Sequence, residues 1–87
     1  MERSEFIEQI SWWARKIGVE PKAIQIRDMK RKWGSCSSKG RLTFNSKLLE
    51  QTKEKRNEVI IHELLHLKYN SHSKIFKALL LAYQKKP

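Results

Sequence analysis

Only one cysteine occurs in the sequence, Cys36, so no disulfide can close within the chain and a cysteine-rich zinc ribbon is excluded. A lone thiol suits a reducing cytoplasm. No apolar run approaches the ~20 residues that span a bilayer. The start, Met1-Glu2-Arg3-Ser4-Glu5, has neither the basic opening nor the apolar stretch of a secretory signal. A soluble, cytoplasmic protein without membrane contact is expected. Acidic residues are also scarce, nine against 19 Lys and Arg, for a net charge of +10. The imbalance is local: between Lys22 and Arg41 seven cations face Asp28 alone, a positive field that favours an anionic partner. No repeat, low-complexity tract or linker interrupts the 87 residues, which are expected to form one domain, 1–87, with a modest core.

Apolar spacing sets the expected elements. Phe6, Ile10, Trp13 and Ile17 recur at steps of four, three and four, the stripe of an amphipathic helix over residues 5–17. Ser4 is its expected cap, and Gly18 and Pro21 close it. From Ala23 to Met29 the period shortens to two, with Ile24 and Ile26 on one face, and the same alternation returns in Arg41-Leu42-Thr43-Phe44-Asn45. The Gly- and Ser-rich loop from Gly34 to Gly40 between them implies an antiparallel hairpin of these two strands, with Lys30 to Trp33 lengthening it. A helical turn around Ser46–Glu50 follows, then a long helix capped by Thr52 and stopped near Asn70. Ser71 or Ser73 caps a last helix whose Ile75, Phe76, Leu79, Leu80 and Tyr83 repeat at helical spacing.

Histidine is also sparse, and all three copies fall in one segment: His62-Glu63-Leu64-Leu65-His66, then His72 six residues on. Residues four apart on a helix stand one turn above each other, so His62 and His66 share a face and can grip one metal ion. Ile60, Leu64 and Leu67 lie opposite them, and Ile61 and Leu65 cover a flank, so this helix is buried nearly all round. Two histidines and a glutamate on such a helix carry a desolvation cost that a divalent cation offsets. His72 sits at the corner between two helices, where a turn can swing its imidazole back to the ion. Three imidazoles leave a fourth position open, the pattern of a catalytic zinc site, with Glu63 handling protons for amide hydrolysis. The separations equal those of the metzincin signature HExxHxxGxxH, but Tyr69 stands where that signature has glycine, and both methionines precede the motif. A metzincin is therefore not assigned.

A second stretch runs Lys32-Trp33-Gly34-Ser35-Cys36-Ser37-Ser38-Lys39-Gly40-Arg41-Leu42-Thr43-Phe44-Asn45. Together with the histidine segment and His72-Ser73-Lys74-Ile75-Phe76, it resembles the YgjP-like and SprT-like group of zinc metallopeptidases, which includes relatives of the WLM proteases. The resemblance covers roughly residues 23–83. It implies a small α+β domain with a zincin-like core, His62, His66 and His72 as ligands of one zinc ion, and Glu63 as catalytic acid/base. A peptide or protein is the implied substrate. The hairpin can offer an edge strand to an extended peptide, and Trp33 is expected to pack on the domain. Cys36 is expected to be neither nucleophile nor ligand, because a fourth protein ligand would close the open position. A reading from another class sets Lys30, Arg31, Lys32, Lys39 and Arg41, beside Trp33, as phosphate contacts of a nucleic-acid-binding module with a structural or vestigial metal site. The two combine in a protease acting on DNA-associated proteins, as members of the wider SprT and WLM group do.

Overall fold

Helix α1, Arg3–Ile17, forms where the apolar stripe placed it and buries Phe6, Ile10, Trp13, Ala14 and Ile17. These coordinates are a computed structural model that describes residues 1–85. The helix starts two residues earlier than expected because Glu2, not Ser4, is the cap, in a reciprocal pairing with Glu5. Gly18 ends it in the left-handed region at φ 85°, where a side chain would be strained, and its N–H bonds to the Ala14 carbonyl at 2.9 Å. Lys68 from a distant loop donates to the carbonyl of Ile17 at 3.3 Å and covers the same helix end.

Three strands follow: β1, Ala23–Arg27; β2, Gly34–Cys36; and β3, Arg41–Asn45, in the order β1-β3-β2. The antiparallel hairpin is present, but its arms are β2 and β3, with Gly34 opposite Phe44 and Cys36 opposite Leu42. β1 instead lies parallel to β3 on the other side, Ala23 beside Arg41 and Arg27 beside Asn45. The expected pairing of the two alternating strands with each other as a hairpin is thus corrected to a parallel one. The cause is the crossing loop 28–33, which carries the chain over to the far edge of β3. Asn45 staples that loop: its amide nitrogen donates to the carbonyls of Met29 and Lys32, both at 2.8 Å. Its side-chain oxygen accepts from the Lys47 N–H at 3.0 Å and caps a 3-10 helix, Ser46–Glu50. A side chain only 4% exposed thereby satisfies both its donor and its acceptor groups.

Helix α2, Lys53–Leu65, is capped by Thr52, whose hydroxyl accepts from the Lys55 N–H at 3.1 Å. Val59, Ile60, Ile61, Leu64 and Leu65 are buried along it. Phe6, Ile10, Leu42, Phe44 and Leu48 meet them in one core, where Phe6 and Phe44 pack edge to face at 5.7 Å. Gln9 and Trp13 both donate to the side-chain oxygen of Asn57, at 2.7 and 2.9 Å, which ties α1 to α2. The last helix, α3, spans Lys74–Lys85 and is capped by Ser73, which accepts from the Phe76 N–H. Among the described residues, no helix is long and apolar enough to cross a membrane.

Candidate metal centre

α2 stops at Leu65, well before Asn70, and this early stop shapes the site. The N–H groups of Leu67 and Lys68 bond back three residues, and that of Tyr69 bonds to Leu65 at 2.8 Å, so the chain winds off the helix at His66. His62 therefore projects from the last helical turn, His66 from the cap position and His72 from the turn before α3. One ring nitrogen from each lies within 4.8 Å of the others. The ring centres are 4.8 to 5.0 Å apart.

Beneath them lies Phe76, 1% exposed, its ring centre 5.3, 4.7 and 5.0 Å from those of His62, His66 and His72. This phenyl floor bars the imidazoles from sinking into the core. The sequence marked Phe76 only as part of an apolar stripe; its position on the first turn after His72 was the available signal.

Hydrogen bonding sets the tautomers. The Nδ1 of His66 lies 3.1 Å from the Tyr69 carbonyl, and that of His62 lies 3.1 Å from the Glu63 carboxylate. Both oxygens accept only, so each Nδ1 carries the hydrogen and each neutral ring keeps its lone pair on Nε2. This is the arrangement that prepares imidazole for a metal. The Nε2 atoms of His66 and His72 face each other at 3.1 Å. Two lone pairs at that distance repel unless a proton or a cation lies between them. Two imidazoles on one tetrahedral zinc, with bonds of ~2.0–2.1 Å, stand about 3.3 Å apart, so the donor set fits such an ion.

Glu63 is 6% exposed and lies at the floor of a cleft of about 580 Å³ between α2 and β2. Gly34 makes this close approach possible. A Cβ there would stand 3.0 Å from the Glu63 Cγ and 3.2 Å from both Val59 Cγ1 and the Thr43 carbonyl. Side chains alternate along a strand, so Cys36 points to the same side as Gly34. Burial first and the Glu63 carboxylate second push its thiol up from the ordinary range, so it stays protonated at neutral pH and is a poor ligand and nucleophile.

The five basic residues do not gather on one surface. Lys39 and Arg41 share a hollow with Lys22 at the turn end of the hairpin. Lys32 lies at the other end of β3 and lines the cleft beside Glu63, while Lys30 and Arg31 are exposed in the crossing loop. Trp33 packs less than expected: it is 36% exposed, with the Lys55 ammonium 5.2 Å from its ring centre.

A crystal structure of the metallopeptidase zymogen jannalysin, from Methanocaldococcus jannaschii, is similar to this fold. The match has a TM-score of 0.76 and 27% identity, over 99% of this chain and 85% of that one. An α+β metallopeptidase is the class that the architecture defines. Within it, the chain belongs to the YgjP-like family, whose model, described as a metallopeptidase domain, matches residues 2–85. Comparison with curated proteins gave no match.

Proposed function

We propose that the chain is a zinc-dependent peptidase of the HExxH type, with one ion held by His62, His66 and His72 and with Glu63 as general acid/base. The observation that carries this reading is the convergence of three metal-ready imidazoles beside a buried carboxylate in a cleft edged by a strand. Bound there, zinc supplies a Lewis acid for the scissile carbonyl and lowers the pKa of water. Glu63 takes a proton and passes it to the leaving amine. Phe76 keeps the imidazoles at the cleft surface.

β2 presents the substrate. Trp33 and Ser37 bond through their backbones to Asn45 and Arg41 of the hairpin, and antiparallel hydrogen-bonded pairs alternate, which places Ser35 in the same set. The N–H and C=O groups of Gly34 and Cys36 are thereby turned to the other edge, where β2 has no strand neighbour among the described residues. An extended peptide pairs with them and lies straight across Glu63. The lone thiol suits work in the cytoplasm. A nucleic-acid contact has less behind it, since the basic residues are divided between the two ends of the hairpin.

Glu63→Gln tests the reading. Hydrolysis of an unstructured protein by the zinc-loaded chain should fall about 10²–10⁴-fold, with zinc affinity retained. Activity that survives this change removes Glu63 from the mechanism.

A further inference from the structure

Beside the cleft, on the N-terminal side of His62, lies a second hollow of about 310 Å³, bounded by α2 and the chain entering β2. It shares His62 and Glu63 with the cleft, so a side chain of a bound peptide that enters it stands beside the position at which Glu63 works. We propose that this hollow is a side-chain subsite that selects a large apolar residue, aromatic above all, on the amine side of the scissile bond. The inference rests on the peptidase reading for its location and on the following features for its selectivity.

Trp33 and Val59 give the hollow its walls, and Gly34, lacking a side chain, leaves it open toward Glu63. A tryptophan left more than a third exposed beside a catalytic cleft is a surface waiting for a partner. Lys55 stands over its ring and holds it in place, and its ammonium is 3.5 Å from the Glu58 carboxylate. That pair is internally neutral, and Lys32 at the rim is offset by the Glu63 carboxylate at the inner end, so the lining carries no net charge. A cationic side chain therefore meets no net counter-charge to offset its desolvation, while an aromatic one finds an indole and an isopropyl group. The side of the bond follows from Glu63. It delivers the proton to the leaving amine, and the hollow borders Glu63 but neither His66 nor His72. The residue it receives becomes the new N-terminus.

Binding to the zinc-loaded Glu63→Gln chain separates this inference from hydrolysis. The probes are capped tetrapeptides of glycine and alanine with one position varied among Phe, Leu, Gly, Asp and Lys, measured by calorimetry. Phe should bind ~10–100-fold more tightly than Gly, and Lys no more tightly than Gly. Adding Trp33→Ala should cut the Phe-to-Gly ratio to about threefold or less without changing zinc affinity. Val59→Leu, a milder change that narrows the hollow, should weaken Phe and spare Gly. Equal binding across the set, a preference for Lys, a ratio indifferent to both variants, or no binding of any peptide overturns the subsite. If the Phe peptide binds through Trp33 but the wild type cleaves none of the set, the subsite stands and the peptidase reading falls. Cleavage with no apolar residue favoured at the new N-terminus leaves the peptidase and removes the subsite.

Discussion

The two walls of the cleft are built in opposite ways. α2 is held on several sides by residues with little or no exposure, among them Ile60, Ile61, Leu64 and Leu65. β2 is three half-buried residues held by one strand ladder and by the fit of Gly34 against α2. Catalytic groups need positions fixed to a fraction of an ångström, which a packed helix provides. A strand that must accept a peptide needs a free edge, and such an edge cannot also be buried.

Breaking the helix wall should therefore cost the most. Leu64→Ala empties a fully buried position and should destabilise by about 2–5 kcal/mol, measured by urea unfolding. Asn45→Ala strips the donors from the Met29 and Lys32 carbonyls and should cost about 1–3 kcal/mol. Because it releases the loop that feeds β2, peptide binding should weaken even where the protein stays folded. Gly34→Ala acts at the junction of the two walls. Overpacking of about 1–3 kcal/mol is expected, together with displaced Glu63, so kcat should fall while zinc affinity holds. An unchanged kcat would mean that the strand yields and the carboxylate does not. On the strand wall, Ser35→Ala should change stability by less than about 0.5 kcal/mol.

The smallest expected effect is chemical. Burial and Glu63 both disfavour the Cys36 thiolate, so its alkylation at neutral pH should be slower than in the unfolded chain and should accelerate as pH rises beyond the ordinary thiol range. Glu63→Gln removes the second cause and should speed the reaction modestly. The linkage has a matching sign: stability falls as pH rises past the unfolded thiol's pKa, because the folded chain resists losing that proton.

Much of the helix wall was legible in the sequence, and little of the strand wall was. Burial on α1 and α2 repeats along one element, so Phe6, Ile10, Ile61 and Leu65 announce themselves by spacing. Thr52 and the corner at His72 were equally local. Strand pairing depends instead on which edge a distant segment reaches. The alternation in Ala23–Arg27 and Arg41–Asn45 marks two strands but not their parallel direction, and Gly34-Ser35-Cys36 is too short and too polar to show a period. Asn45 reads as a strand end, and its three hydrogen bonds depend on where loop 28–33 crosses. The end of α2 escaped notice because no glycine or proline marks it; His66 and Tyr69 close it through a side-chain bond. Family likeness extended the reading to the metallopeptidase class, while the phenyl floor and the Trp33 hollow emerged only from the packing.

Three histidines from three structural settings are proposed to form one metal centre. Zinc content and affinity of the wild type beside His72→Ala test it most directly. One zinc per chain is expected, bound more weakly by the variant by well over the ~10–100-fold lost when a mere supporting contact is removed. A folded wild type that takes up no zinc, or a variant that binds it equally well, would overturn the three-histidine site.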